Sequence, residues 1–368
     1  MHRNLKTNRD AGYSLLELMV SLGVMLVLTA AAFALVGGSI RYANSAYYMS
    51  DAEESMRAAH ELINRDLTSA GDGLKTIGGM TVPVGFAGNF LTRTTLTDVT
   101  DTTHHQLGLL SSDDSMPAAT AVPQLAPAAN FLEGSDRISM ITQDRTFNGG
   151  NAVTVLAGKI TIVGSTTKID VGAANIGLFQ NGEIYAVVAN GNAGFGNITS
   201  ITAASNQINM ANNDSLALNE TGATAPISKV TAVANNVSTL NASIIRLQII
   251  QYYVTDTKML MRRVFGIRGG TFTETPVAEH VTNLQFRYQT NVSDANGFVT
   301  QPVTSITSPL QQSSVREVET TIGVETVHAV NLMTNANANN SANGKQTIQT
   351  TTATTVRNLQ FGANARTQ

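Results

Sequence analysis

The stretch RDAGYSLLELMVSLGVMLVL, residues 9–28, places a single glutamate, Glu17, at the start of a long apolar run. Residues 18–36 carry no charge, and a helix of that length spans about 28 Å, close to the roughly 30 Å hydrocarbon core of a bilayer. An unpartnered carboxylate costs about 2.5–3.5 kcal/mol at the centre of a membrane helix and less near the interface. The chemistry predicted for Glu17 is therefore pairing with a cation in lipid.

The rest of the sequence lacks the common catalytic and metal-binding patterns. It contains no Gly-x-Ser-x-Gly motif, phosphate-binding loop, His-Glu-x-x-His motif or dinucleotide fingerprint, and it has no cysteine. His104 and His105 are adjacent, so on a strand they would not face one another around a metal ion. The segment SDANGF around Asp294 lacks the distal glutamate of a calcium loop and is typical of a turn. We predict no enzyme activity, no metal site and no cofactor.

Composition favours a β-rich extramembrane region. Only 13% of the residues are charged and 5% are aromatic, which suits turn-rich β-structure better than a helical enzyme. The 368 residues suffice for one large or two smaller folded units. The formal net charge is −3, of which residues 1–12 contribute +2 and the remainder −5. Because no basic stripe with interleaved aromatics is present, we predict no contact with nucleic acid.

A helical pattern continues well beyond the apolar run. Apolar residues recur at spacings of three and four along one stripe, which consists of Met49, Ala52, Met56, Ala59, Ile63 and Leu67. The segment Gly71-Asp72-Gly73 is a typical stop signal. We predict one helix from about Ser14 to Ala70, about 85 Å long. Its transmembrane half covers residues 13–36, and its amphipathic half and junction cover residues 37–75.

Two readings of the N-terminus compete. Arg3, Lys6 and Arg9 precede the apolar run, so the positive-inside rule keeps the N-terminus cytoplasmic and sends the rest of the chain outward. A cleavable secretory signal peptide has the same basic start, and Ala32-Phe33-Ala34 would be its cleavage site. Against that reading, Glu17 interrupts the apolar region, and the helical pattern does not stop where a signal peptide should end.

The segment GYSLLELMV, residues 12–20, resembles the prepilin processing motif of type IV pilins and type II secretion pseudopilins. The resemblance implies that residues 1–12 are a leader, that prepilin peptidase cuts after Gly12, and that the new N-terminal residue, Tyr13, is N-methylated. Tyr13 stands where phenylalanine is commonest in this family, a departure that should still permit processing.

The resemblance also suggests a role for Glu17. Cleavage after Gly12 would free an α-amino group on Tyr13, one helical turn before Glu17. Because a buried unpaired charge costs more than the pair returns, pairing with the amine of a neighbouring subunit would set the register of filament assembly. The alternative is that Glu17 simply lies in the headgroup zone.

The remainder resembles the PilW group of minor pilins in places. The phrase RDLTSAG, residues 65–71, is similar to a signature of that group, and residues 243–361 resemble it more loosely. We divide this part into a β-rich region over 76–242, which can be read as an inserted subdomain, and a C-terminal antiparallel β region over 243–368. The predicted fold class is α+β, a long N-terminal helix packed on a large, mainly antiparallel β head, as in pilins.

Several strand predictions are specific enough to check. The segment Thr255-Asp256-Thr257 and the glycine-rich GIRGGTF, residues 266–272, should each connect an antiparallel hairpin. Val281, Leu284 and Phe286 do not alternate perfectly, which predicts a bulge. Ser228–Ala234 and Val277–Gln289 are each predicted as one strand.

Together these features predict a minor pilin, a membrane-anchored subunit for type IV pilus assembly or for its tip or initiation complex. Its predicted partners are other pilins, bound through the N-terminal helix, and prepilin peptidase. Its predicted location is the bacterial inner membrane, crossed once with the head in the periplasm, and then the pilus or cell surface. The alternatives are a type II secretion pseudopilin and a secreted β-rich binding protein cut after Ala34.

Overall fold

The computed structural model describes residues 14–74, 80–91, 104–124, 127–236, 241–290, 302–306, 311–312, 314–330, 344–356 and 358–359. The α-helices in these ranges are α1 Leu15–Ser69, α2 Val84–Leu91 and α3 Pro226–Asn236. The strands are β1 Met80–Pro83, β2 His104–Leu107, β3 Leu110–Asp113, β4 Arg137–Gln143, β5 Val153–Val155, β6 Ile160–Val163, β7 Thr166–Asp170, β8 Ile184–Ala189, β9 Asn192–Asn197, β10 Ser200–Thr202, β11 Gln207–Ala211, β12 Ala242–Val254, β13 Leu260–Phe265, β14 Phe272–Ala278, β15 Val281–Thr290, β16 Val315–Glu325 and β17 Thr347–Thr355. The predicted class, α+β with a long N-terminal helix and antiparallel β-structure, is confirmed.

The chain divides into two compact units. One contains the residues up to Asp51 together with Thr326–Gln346, and the other contains Ala52–Glu325 and the residues from Thr347 onward. Helix α1 contributes residues to both units. The β-sheets described below belong to the second unit.

Helix α1 begins and ends close to the predicted residues. It covers Leu15–Ser69, and Gly71 behind it adopts a left-handed conformation with φ +73°. The Gly71 amide then donates to the carbonyl of Ile141 at 2.8 Å, so the chain leaves the helix directly onto the sheet. In the second unit, the predicted apolar stripe is buried from Ala52 to Leu67. Burial of this stripe against the sheets therefore stabilises the second half of the helix.

Polar contacts from α1 to the strands accompany this burial. The Asp66 carboxylate accepts hydrogen bonds from the Tyr252 hydroxyl at 2.7 Å and from the Arg262 Nε at 2.6 Å. His60 lies against β17, with Nε2 3.2 Å from the Thr350 carbonyl and Nδ1 2.9 Å from the Thr352 hydroxyl. These contacts fix both the position and the rotation of the helix on the sheet.

Strand β12 is the centre of an eight-stranded antiparallel sheet. The strand order is β14-β13-β12-β4-β3, and the first half of β12 also pairs with β5 and β8, the latter of which pairs with β9. The sequence was divided into regions 76–242 and 243–368, and both regions contribute strands to this sheet. The sheet is therefore continuous across the predicted division. Smaller antiparallel sheets are β15-β16-β17, β10-β11-β7-β6 and β1-β2.

The buried apolar side chains form two main clusters. The larger cluster joins the α1 stripe to α2 and to residues of the eight-stranded and three-stranded sheets. The second cluster consists of residues between Phe147 and Ile244, including Phe179, Tyr185 and Val230. This separate cluster falls almost wholly inside the region 76–242, whose reading as an inserted subdomain stays a prediction.

The predicted hairpins and bulge are present. Strands β12 and β13 pair in register from Ile249 with Phe265 to Val254 with Leu260, and β13 pairs with β14 up to Phe265 with Phe272. Between β15 and β16 the register shifts at Val281 and Asn283. The imperfect alternation of apolar residues in the sequence therefore marked a real irregularity.

Two strand predictions are wrong. Ser228–Ala234 lies in helix α3, where Ile227, Val230 and Ala234 are buried at spacings of three and four, and Pro226 suits the first turn. The predicted strand Val277–Gln289 is two strands, β14 and β15, because the chain turns at His280 with φ +59°. Helix α2 lies in the region 76–242, which was predicted to be β-rich.

Candidate membrane and assembly segment

The first described residue, Ser14, is the N-cap of helix α1. Its carbonyl accepts hydrogen bonds from the amides of Glu17 at 3.0 Å and Leu18 at 3.1 Å, and its Oγ accepts from the Glu17 amide at 3.3 Å. Ser14-Leu15-Leu16-Glu17 thus has the Ser-x-x-Glu spacing of a capping box. The sequence contains this capping signal, but Glu17 was predicted only to act as a charge.

Glu17 lies in the first turn of α1 with its side chain exposed. The positive end of the helix dipole favours a carboxylate at this position. Its carboxylate makes no hydrogen bond or ion pair with any described residue. Gly12 and Tyr13, the predicted cleavage and methylation residues, lie outside the described residues, so the structure does not place them relative to Glu17.

An apolar surface flanks Glu17 and continues along the helix. Side chains such as Leu16, Met25 and Leu35 are 74%, 69% and 75% exposed, as expected for a surface that meets lipid rather than water. By length and composition this part of α1 is able to cross a membrane, although a signal sequence would pass the same test. A soluble environment would not favour so long an exposed apolar run.

The hydroxyl groups in this segment bond to the helix itself. Ser21 donates to the Leu18 carbonyl at 2.9 Å, Thr29 to Met25 at 2.7 Å and Ser39 to Leu35 at 3.0 Å. Such bonds let hydroxyl side chains enter lipid without an external partner. Between Ser14 and Arg41, Glu17 is therefore the one side chain that still requires a partner.

The described part of the chain offers no competing site for metal chemistry. It contains no group of three histidine, aspartate or glutamate residues arranged to hold an ion. His104 is buried and its Nε2 lies 2.6 Å from the Glu220 carboxylate, which accounts for it as a packed residue. Asp294, in the turn-like SDANGF segment, lies outside the described residues.

Comparison with known proteins identifies a motif at this segment. Residues 7–33 match the family model of the prokaryotic N-terminal methylation motif. The match includes Gly12, Tyr13 and Glu17 and extends over most of the apolar run, as far as Phe33. The chain therefore carries an N-terminal methylation motif at the start of α1.

Comparisons over longer parts of the chain are less informative. No curated protein matches this sequence. A solved structure, a type IV-like pilin from Thermus thermophilus, is similar over 49% of this chain and 85% of its own length, with 9% identity and a TM-score of 0.19. With so low a TM-score, that similarity says nothing about the role of this chain.

Proposed function

We propose that this chain is a membrane-anchored subunit of a type IV pilus-like machine, cut by prepilin peptidase after Gly12 and N-methylated at Tyr13. The observation that carries the proposal is the methylation motif at residues 7–33, because it coincides with an exposed apolar helix. The helix anchors the subunit in the inner membrane, with the β-rich head on the periplasmic side before incorporation into a filament.

Processing provides the cation that Glu17 lacks. Cleavage after Gly12 frees the α-amino group of Tyr13, next to the capping residue Ser14. That amine adds positive charge to the positive end of the helix dipole, and Glu17 in the first turn compensates both. When helices pack side by side in lipid, Glu17 pairs with the amine of a neighbouring subunit. A subunit at the wrong height leaves both charges unpaired, so the pair sets the register.

The finer assignment is a minor pilin of the PilW type. It is supported by the resemblance of residues 65–71 and 243–361 to that group, and by a length that exceeds the usual size of a repeating fibre subunit. A type II secretion pseudopilin would share the N-terminal chemistry. A deletion strain separates the two: loss of surface pili supports the minor pilin, whereas loss of exoprotein secretion with intact pili supports the pseudopilin.

Mass spectrometry of the mature N-terminus tests the processing directly. Protein purified from native membranes should begin at a methylated Tyr13, and a Gly12→Val variant should keep residues 1–12. A chain that begins at Leu35 would instead identify a secreted protein cut after Ala34. Retention of the first twelve residues in the unaltered protein would overturn the proposal.

A further inference from the structure

A cleft of about 500 Å³ opens on the surface of the second unit, where four loops meet. The loops are residues 181–182 before β8, residues 197–199 at the end of β9, residues 213–215 after β11 and residues 269–271 between β13 and β14. Sites for small ligands commonly have volumes of roughly 300–1,000 Å³. The cleft is therefore large enough for a ligand of a few rings.

Backbone contacts between the loops hold the cleft in shape. The Gly269 amide donates to the Asn181 carbonyl at 3.0 Å, and the Gly182 amide donates to the Ile198 carbonyl at 2.9 Å. Gly182 has φ +87°, and a Cβ there would lie 2.8 Å from the Ile267 carbonyl oxygen. Only glycine permits this approach, so the close packing of these two loops is specified by the sequence.

Asp214, the charged residue that lines the cleft, already has hydrogen-bond partners within its own loop. Asp214 is buried, and its carboxylate accepts hydrogen bonds from the amides of Leu216 at 3.1 Å, Leu218 at 2.9 Å and Asn219 at 2.9 Å. It therefore orders its own loop rather than offering a negative charge to a ligand. Among the described residues, no lysine, arginine or histidine lines the cleft.

The polar side chains that line the cleft and have no described hydrogen-bond partner are uncharged. The side chains of Asn181, Asn213, Ser215 and Thr271 make no hydrogen bond within the part of the chain that the structure describes. Two carboxamides and two hydroxyls each offer both donors and acceptors. A ligand with several neighbouring hydroxyl groups matches this set, whereas an anion or a cation would find no compensating charge.

From this arrangement we infer that the cleft binds a neutral oligosaccharide. The inference does not depend on the proposed assembly role, because it rests on residues of the second unit alone. The described residues that line the cleft include no aromatic side chain, so we expect binding without ring stacking, which should be weak and rapidly reversible.

Saturation-transfer difference NMR suits weak binding to a large particle. The full chain is placed in lipid nanodiscs, without glycoside detergents, and is exposed to neutral oligosaccharides of glucose, galactose, mannose and N-acetylglucosamine and to one sialylated oligosaccharide. We expect transfer to at least one neutral oligosaccharide and less to the sialylated one. Transfer to none of the neutral sugars, or preference for the anionic one, overturns the inference.

Variants locate the binding. Asn181→Ala combined with Asn213→Gly removes both amides, and glycine preserves the left-handed conformation of Asn213, which has φ +64°. We expect this pair of substitutions to lower the saturation transfer at least about fivefold, which is the low end of the effect of losing two hydrogen bonds. The matched control, Asn89→Ala with Asn241→Ala, removes two exposed amides elsewhere and should leave the transfer unchanged. Equal transfer in cleft and control variants that unfold at the same temperature would contradict the site.

Discussion

At the scale of single residues, Glu17 differs from every other polar side chain in the apolar part of α1. The hydroxyls of Ser21, Thr29 and Ser39 bond to helix carbonyls, whereas the Glu17 carboxylate has no partner among the described residues. Lipid makes such an unpartnered charge costly. The requirement for a partner is thus a property of the chain, and the proposed neighbouring amine is one way to meet it.

Replacement of Glu17 by glutamine tests this requirement. We expect membrane insertion and cleavage to persist, because the apolar run is unchanged, while incorporation into filaments falls at least about fivefold, as for a loss of roughly 1 kcal/mol. The measurement is quantitative immunoblotting of sheared filaments against membranes. Ser21→Ala, one turn further along, is the matched control and should assemble normally. Equal incorporation of both variants would count against the register role.

His60 makes the second unit sensitive to acid. Nε2 donates to the Thr350 carbonyl and Nδ1 accepts from the Thr352 hydroxyl, so the neutral ring is satisfied. Burial lowers the pKa of His60, an effect partly offset by the bond to Thr350. Below about pH 6.5 the His60 imidazole therefore binds a proton more readily in the unfolded chain than in the folded chain. The free energy of unfolding consequently falls as the pH falls.

A variant of His60 isolates this contribution. The free energy of unfolding, measured with urea, should fall less between pH 7 and pH 5 in His60→Gln than in the unaltered protein, because glutamine does not titrate. His280→Gln is the control, because it removes a histidine whose side chain is half-exposed. Parallel pH profiles for the unaltered protein and His60→Gln would show that His60 does not contribute.

At the scale of elements, the second half of α1 is attached to the sheet by the contact of Asp66 with Tyr252 and Arg262. Asp66 is buried, and its carboxylate lies between groups from β12 and β13. Residues 52–67 supply the apolar surface, but this contact determines which way the helix faces. Burial also raises the pKa of Tyr252, so the phenol remains a donor to Asp66.

Loss of this contact should destabilise the second unit. We expect Asp66→Asn to lower the free energy of unfolding by about 1–3 kcal/mol, because Arg262 keeps its charge and loses its partner. The exposed neighbouring change Arg65→Gln should cost less than about 0.5 kcal/mol. Urea unfolding followed by near-ultraviolet circular dichroism of the tyrosines measures both. In the double variant Asp66→Asn, Arg262→Gln, the two effects should not add. Strict additivity would contradict the pairing.

Elements with a strong local pattern were predictable from the sequence, and contacts between distant residues were not. The limits of α1 followed from its apolar period and from Gly71, and the turn at Thr255-Asp256-Thr257 marked the hairpin of β12 and β13. Helix α3 was missed because Val230 and Thr231 favour strands locally, while burial of one face decides the structure. No local pattern could bring Asp66 to Arg262, 196 positions away.

The candidate site was predictable for a similar reason. Glu17, its apolar surroundings and the basic residues before Gly12 are contiguous in sequence, so their chemistry could be inferred before the fold was known. The cleft was not predictable, because Asn181, Asn213 and Thr271 come from three separate loops. Each of these residues alone reads as an ordinary turn residue.

At the scale of the whole molecule, Asp136 connects two of the sheets. It precedes β4, and its carboxylate accepts hydrogen bonds from the Phe286 amide of β15 at 2.7 Å and from the Ser115 amide at 2.9 Å. Burial raises the pKa of Asp136 to about 6, although these two amides oppose the shift and Asp114 reinforces it. The contact between the sheets thus depends on a carboxyl group that titrates near neutral pH.

The sign of the resulting pH dependence is opposite to that of His60. Between about pH 4 and pH 6 the folded chain holds a proton on Asp136 that the unfolded chain releases, so stability decreases as the pH rises. From the shift of its pKa to about 6, the decrease attributable to this group is up to about 3 kcal/mol. Urea titration at each pH measures the unfolding free energies of the unaltered protein and of Asp136→Asn. Between about pH 4 and pH 6 the unaltered protein should lose stability relative to the variant. A constant difference would contradict the shift.

The proposed assembly depends on pairing between Glu17 of one subunit and the N-terminal amine of another. Zero-length carbodiimide cross-linking of filaments or native membranes, followed by peptide mass spectrometry, tests it most directly. Mixing isotopically labelled and unlabelled copies distinguishes links between chains from links within one. We expect a peptide in which Glu17 is joined to the α-amino group of a neighbouring subunit, and we expect this peptide to be absent in Glu17→Gln. Links confined to one chain, or none at Glu17 while other carboxylates react, would contradict it.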